Sequence, residues 1–426
     1  MTEEVQLNDM RVIKNLRYCE ITGSNSFIRS EAVTVMGNET SMQHANKKLK
    51  VLLVSEGYGQ SFFGVAKVVE DLRCRMRDCD AVIKVAALVV GRNDNQIADG
   101  AIVELPYWKW TRTMRFHYRQ ARAFADVVDD FQPDVIHVHG VLVPLQRVAV
   151  VCALRRKIPV VISAHGMLQP WLWQQLGSTR FWIKRMYWVV VMRQVLQKAN
   201  YLHAITQDES QILGEEFPGI PQILIPNAIS LEEFSASQSV PDTERYILFL
   251  GRLHPVKGVH MLIEAFTALS DTTYKLVIAG PNDSIQYTNQ LKESVNRAEL
   301  EGQVSFVGEV GGMKKQSLLT KAWVVVVPSY TEVMAMVNLE AAASFTPTIT
   351  TKMTGLNGWA ESGGLLIDPD VAQLKQALEQ SLSWSLEERL ARGRQARQFV
   401  TDRYSWDVVG KRWMDAYKKI ASGLRP

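Results

Sequence analysis

The feature that most constrains this chain is a series of short, β-branched apolar runs that starts near Lys50, stops, and starts again. "KVLLVS", "VIHVHG", "VVISAH", "YLHAIT" and "ILIPNA" form a first set, and "YILFLG", "KLVIAG", "VSFVGE", "WVVVVPS", "TITT" and "GLLIDP" form a second. Helical stretches separate most of them. Continuously apolar strands alternating with helices predict parallel sheets covered on both faces. Between the sets lies "SLEEFSASQSVPDTER", polar and turn-rich, which reads as a linker. The expected fold class is therefore α/β, with two doubly wound domains. A chain of 426 residues has room for both, each with its own core.

Composition narrows the class of protein. The chain is 47 % hydrophobic and 22 % charged, as expected of an ordinary soluble protein. A net charge of +4 is too small to argue for nucleic acid. No apolar run is long enough to span a bilayer, and the first thirty residues carry no signal peptide pattern. Cys19, Cys74, Cys79 and Cys152 form no zinc-ligand pairing and read as reduced thiols of a cytoplasmic protein. Residues 1–46 lack a clear period and are expected to be a flexible extension. Met42, just ahead of the first strand, offers an alternative start.

Charge is unevenly placed. Tyr107 to Lys198 holds 14 Lys and Arg against 4 Asp and Glu, and it includes "PYWKWTRTMRFHYRQ" and "RFWIKRMYWVVVMRQ". Trp108, Trp110, Arg112, Arg115, Arg119, Trp182, Lys184 and Arg185 interleave rings with cations. Such a surface suits an anionic membrane, with rings at the interface and cations among the phosphates. Two ordinary amphipathic helices with long cationic side chains are the alternative.

Ligands of open α/β sheets bind beyond the carboxyl ends of the strands. "ILFLGRLHPVKGVHMLIEAF" puts Arg252 and Lys257 between a strand and a helix N-terminus, which suits a doubly charged phosphate group. Solvated cations, or cations paired with local carboxylates, are the plain alternative. "VVVVPSYTEVMAMVNLEAAA" adds Glu332 and Glu340, eight apart. A helix expected from about Met334 would set the two carboxylates on one side, about 12 Å apart along the axis. Carboxylates accept hydrogen bonds from sugar hydroxyls. Hydroxyls at both ends with phosphates between describe a nucleoside diphosphate sugar.

From Lys50 onward the chain resembles the retaining glycosyltransferases of family 4, whose two facing Rossmann-like domains form the arrangement called GT-B. "GRLHPVKG", "IAGP" and the E-x7-E spacing of "PSYTEVMAMVNLEAAA" carry the resemblance, with "HVHG", "SAHG" and "IPNAIS" in order ahead of them. It implies domains at 47–228 and 229–402, the second binding the nucleotide sugar, and a final helix in 403–426 that returns to the first domain. It assigns Arg252 and Lys257 to the donor diphosphate, Glu340 to the ribose and Glu332 to the transferred sugar. His165 falls beside the reacting centre, and Gly64 in the glycine-rich first loop. Gly57 and Gly59 are expected to be turn glycines, and His137 and His139 structural.

The implied reaction is sugar transfer with retention, without a protein nucleophile, a metal or any other cofactor. The implied setting is polysaccharide biosynthesis, with a glycan or lipid-linked glycan acceptor at the inner membrane face. Three departures stand out: Val333-Met334-Ala335 for the usual Gly-Phe-Gly, Ser344-Phe345 for Cys-Gly, and Ala228 for the glycine of Pro-Asn-Gly. They leave a catalytically degenerate nucleotide-sugar-binding or scaffold protein as the alternative. A sugar-nucleotide epimerase on the same architecture fits the E-x7-E pattern less well.

Overall fold

The computed structural model describes residues 48–58, 64–76, 81–90, 100–106, 114–174, 178–234, 245–269, 273–356 and 358–426. The N-terminal extension, most of the linker and Gly59 lie outside these residues. So do Trp108, Trp110 and Arg112, and the side chain of Arg115.

The first domain is a seven-stranded parallel sheet. Its elements run β1 (Leu49–Tyr58), α1 (Val65–Met76), β2 (Ala81–Val90), β3 (Ile102–Glu104), α2 (Met114–Phe131), β4 (Val135–His139), α3 (Pro144–Arg156) and β5 (Val160–Ser163). They continue through α4 (Pro170–Gln174), α5 (Ser178–Tyr187), a π-helical stretch (Trp188–Arg193), α6 (Gln194–Leu196), β6 (Tyr201–Ala204), α7 (Gln207–Glu216) and β7 (Gln222–Leu224). The strand order is β3-β2-β1-β4-β5-β6-β7, so the winding direction reverses between β1 and β4. β2 and β3 were not among the runs picked out above, although β2 pairs with nearly the whole length of β1.

The second domain repeats the plan with β8 (Tyr246–Leu250), α8 (Val259–Thr267), β9 (Lys275–Ala279), α9 (Ile285–Arg297), β10 (Val304–Gly308) and α10 (Gly312–Lys321). Then follow β11 (Val324–Val327), α11 (Met336–Ala343), β12 (Thr348–Thr351), β13 (Leu365–Ile367), α12 (Val371–Leu382), α13 (Leu386–Tyr404) and α14 (Trp406–Ala421). The order β10-β9-β8-β11-β12-β13 reverses between β8 and β11.

The central strands are buried on both faces, which is why they read as unbroken apolar runs, while edge strands such as β3, β7 and β10 are partly exposed. In the first sheet, Leu52, Val54, Ile136 and Ile162 point into one core and Val51, Leu53, Val135 and Val161 into the other. The second core also takes Val409, Trp413, Met414 and Tyr417, so α14 closes the first domain although it ends the chain.

Burying Tyr417 brings a polar group inside, and that group is satisfied. The Tyr417 hydroxyl lies 2.7 Å from His137 Nδ1, His137 Nε2 lies 2.6 Å from Ser163 Oγ, and Ser163 Oγ lies 2.6 Å from His203 Nδ1. His203 Nε2 sits 2.7 Å from the Ile225 carbonyl, which can only accept. With neutral rings the direction of every bond follows. Tyr417 donates to His137, His137 to Ser163, Ser163 to His203, and His203 to the carbonyl.

Candidate functional site

The reversal point of each sheet is where such folds bind ligands. Arg252 and Lys257 follow β8, and Glu332 follows β11, the two strands on either side of the reversal in the second sheet. The turn after β8 is short because Pro255–Lys257 form one 3-10 turn and Gly258 takes φ 68°. A Cβ at Gly258 would clash with the Pro328 carbonyl. Glycine therefore lets the loops after β8 and β11 touch, which places Lys257 Nζ in an ion pair with Glu332 Oε1. Ser329 Oγ donates to the same oxygen at 2.9 Å. Both partners are half-buried, so the pair is held more firmly than a surface one. Lys257 still has two further N–H donors for an anion.

Arg252 is exposed, and its Nη1 donates to Asp283 Oδ2 at 2.8 Å. Glu340 lies on α11, where its Oε1 accepts from Lys315 Nζ at 2.6 Å. Its other oxygen, Oε2, is buried and accepts no hydrogen bond from the described residues.

The expected helical relation between the two glutamates needs correction. Glu332 precedes the helix, which begins at Met336. The Glu332 and Ala335 amides donate instead to the Met353 and Thr354 carbonyls, at 2.8 and 3.0 Å. That pairing holds the segment in an extended course, so helical rise does not set the spacing of the two carboxylates.

In the first domain His165 stands just past β5 with φ 53°, a left-handed conformation that costs a non-glycine residue about 1–3 kcal/mol and clusters at functional sites. Gly166 continues the turn at φ 73°. Buried Glu209 braces this corner by accepting from the Gly166 amide at 2.6 Å and the Ile205 amide at 2.8 Å. His165 Nε2 lies 2.9 Å from His139 Nδ1, and the two rings stack. His137 and His139 share a face, with ring centroids 4.1 Å apart, but only His137 is taken up by the chain of bonds to Tyr417. His139 supports the candidate site directly, which its regular place in a strand did not reveal.

The two domains meet at this corner. A Cβ on Gly166 would clash with Val333 Cγ2, and one on Gly355 with the Val333 carbonyl. Val333, one of the departures from Gly-Phe-Gly, thus packs against the turn that carries His165. Next to it lies a cleft of about 620 Å³ between Pro170 and Trp171 of the first domain and Val256, His260, Tyr330, Thr331 and Met353 of the second. Gly64 caps α1 at φ 76°, with open space where a side chain would be, and of the six candidates Lys257 and Glu332 are the pair in direct contact among the described residues. Among the described residues no group of three or more His, Cys, Asp or Glu could hold a metal ion.

Two facing parallel sheets with charged strand-end loops define a GT-B protein. A family model described as "Glycosyl transferases group 1" matches residues 231–399, and one described as "Glycosyltransferase Family 4" matches residues 63–233. Together they span both domains, and the chain belongs to the family 4-like GT-B glycosyltransferases. An uncharacterized glycosyltransferase of Methanocaldococcus jannaschii is 33 % identical over 190 residues, 43 % of this chain and 47 % of that one. Glycogen synthase of Mycobacterium tuberculosis is 28 % identical over 313 residues, 69 % of this chain and 71 % of that one. The match to the archaeal relative thus spans about half of its length. Among solved structures, Anabaena HepE in complex with UDP and glucose superposes with a TM-score of 0.69 at 14 % identity, over 87 % of this chain and all of that one.

Proposed function

We propose that this chain moves a sugar from a nucleoside diphosphate sugar to a hydroxyl of a glycan or lipid-linked glycan, with retention at the anomeric carbon. The observation that carries the reading is the state of Glu340. A buried carboxylate oxygen without a partner is costly, and a hydroxyl of the ligand would satisfy it. Ribose is the part of the donor that would offer such a hydroxyl.

Arg252 and Lys257 then face the two phosphates. They stabilise charge that builds on the leaving nucleotide as the glycosidic bond breaks. Lys257 can do so while keeping Glu332 in place, so phosphate and sugar are positioned by one linked pair. Glu332 accepts from a hydroxyl of the transferred sugar. His165, neutral and fixed by His139, is a hydrogen-bonding group at the reacting centre rather than a cation. Gly64 offers backbone at the first loop. Two protein cations on the diphosphate do the work a metal would otherwise do, so the reading needs neither a metal nor another cofactor. A glycan-building role fits a relative that is a glycogen synthase, and a nucleotide-sugar donor fits a neighbour solved with UDP and glucose. An enzyme peripheral on the inner membrane face would meet a lipid-linked acceptor there.

Titration calorimetry with uridine and guanosine diphosphates tests the site. Arg252→Ala and Lys257→Ala should each weaken binding about 10- to 150-fold, the loss of a charge-assisted hydrogen bond, without unfolding the protein. Unchanged affinity in both variants overturns the assignment. Release of free nucleotide from a donor on addition of acceptor tests transfer. Tight binding without release under any acceptor would support the scaffold alternative.

A further inference from the structure

A second surface in the first domain has a chemistry of its own. α5, the π-helical stretch and α6 follow one another without a break from Ser178 to Leu196. Trp182, Ile183, Met186, Val189 and Val190 on this rod are 64, 66, 59, 37 and 58 % exposed. Their spacing is i, i+1, i+4, i+7, i+8, one continuous helical face. Trp188, Met192 and Leu196 are fully buried in the first-domain core. The rod is thus apolar on two sides, one anchored and one turned to solvent. A stripe of five large apolar side chains on a surface marks an interaction site.

Charge selects the occupant. Ser178 to Lys198 contains five Lys and Arg and no Asp or Glu. Arg193 is engaged with Glu216 at 2.8 Å, and Arg185 lies over the Trp173 ring at 5.8 Å, while Lys184 is exposed. A second copy of the chain fits poorly, because two-fold pairing sets each cation-rich rod against an identical one. An anionic lipid leaflet meets both demands, taking the apolar stripe at the headgroup boundary and the cations among its phosphates. Among the described residues no helix is long and apolar enough to cross a membrane, so the rod lies on the surface.

We infer that this rod docks the first domain flat on an anionic leaflet, with Trp182, Ile183, Met186 and Val190 as its inserted face. The rod follows α4, and Pro170 and Trp171 at the start of α4 line the cleft beside His165. Docking therefore holds the cleft close to the leaflet. This deepens the lipid-linked acceptor reading and rests on it for its purpose. The docking itself is measured without donor or acceptor.

Co-sedimentation of the full chain with vesicles is the test. Wild type should pellet with phosphatidylglycerol-containing vesicles, remain in solution with pure phosphatidylcholine, and detach as salt is raised. Lys184→Ser with Arg185→Ser should weaken binding about thirtyfold. Trp182→Ser with Ile183→Ser and Met186→Ser should abolish it. Both variants should keep wild-type nucleotide affinity by calorimetry, so that loss of docking is distinguishable from failure of the donor-site reading. Pelleting of the triple variant like wild type overturns the inference. So does equal pelleting with both vesicle types, or none with either, or a wild-type dimer in solution that the triple variant dissolves.

Discussion

Lowering the pH should unfold the first domain through four imidazoles at the ends of β4, β5 and β6. His137, His139 and His203 are buried and His165 is half-buried. Burial pulls all four below the ordinary histidine range, helped by neighbouring rings at His137, His139 and His165 and by Arg412 at His203. His165 falls to about 3 and His203 to about 4, and His137 and His139 fall well below 6.5. The chain of bonds from Tyr417 to Ile225 adds to this, since a proton on His137 Nδ1 or His203 Nδ1 would make the facing hydroxyl give up the bond it donates. In the unfolded chain each imidazole takes a proton near pH 6.5. The stability they hold is therefore intact above about pH 6.5 and lost as the pH falls, until the folded rings themselves titrate near 3 to 4. Between pH 7 and 5.5 each group removes about 1.3 kcal/mol, and the four together about 5 kcal/mol. Glu209, Glu56 and Asp71, pushed up by burial, act in the opposite sense by at most one proton each, so about 5 kcal/mol is the upper bound. A loss of this size matches the whole stability of many domains.

Urea denaturation at intervals from pH 7.5 to 5.5 measures this directly. The slope of unfolding free energy against pH near 5.5 should approach about 5 kcal/mol per unit, the uptake of about four protons. His139→Gln should reduce that slope by one proton. A slope below one proton would refute the neutral cluster. Catalysis carries the same signature. If His165 works as a neutral ring, kcat/KM should stay flat from pH 8 to 6, with no ionisation near 6.5 apart from unfolding.

Two further predictions concern the candidate site. Glu340→Gln should weaken binding of the bare nucleoside diphosphate about tenfold or more, while Glu332→Gln should spare it and lower sugar transfer; equal effects on both measurements would mean that the roles are misassigned. Gly166→Ala should cost about 1–3 kcal/mol through its positive φ and its clash with Val333, and Gly166→Ala with Val333→Gly should recover the steric part; a strictly additive double variant would show that the two residues do not meet.

The fold was legible because parallel strands leave an unusual trace, an apolar run without alternation, repeated between helices. β2 escaped because Lys84 interrupts its run, even though the strand is ten residues long. The candidate site was legible only in part. Motif spacing brings out Arg252, Lys257, Glu332 and Glu340, but not what each of them touches. Asp283 and Lys315 lie 31 and 25 residues from their partners in sequence, and only the closing of the sheet makes them neighbours. The start of α11 slipped by two residues for a related reason. "VMAM" has good helix formers, yet the Glu332 and Ala335 amides bond across to the Met353 and Thr354 carbonyls, and Ala335 takes an extended conformation there.

The departures from the family pattern differ in physical cost. Ala335 has φ −77° and Val333 also lies outside the left-handed region, so this loop needs no glycine for its own conformation. What the two side chains change is the room left beside His165. Phe345 is another matter. It stands where the resembled family has glycine, and it keeps the left-handed backbone, with φ 57°, at a cost of about 1–2 kcal/mol. The structure meets that cost from α13. Arg389, fully buried, donates to the Phe345 carbonyl at 3.2 Å and also to the carbonyls of Ala322 and Trp323. Arg397 lies over the Phe345 ring at 5.3 Å and donates to the Ala343 carbonyl. No carboxylate accompanies Arg389 in these bonds, and burial draws its pKa down to about 10, still well above neutrality. Its charge is therefore shared among backbone carbonyls just past the C-terminal ends of α10 and α11, where the helix dipoles are negative. α13 thereby fixes the helix that carries Glu340. The strain at Phe345 and the positioning of a candidate ribose ligand are consequences of one packing arrangement.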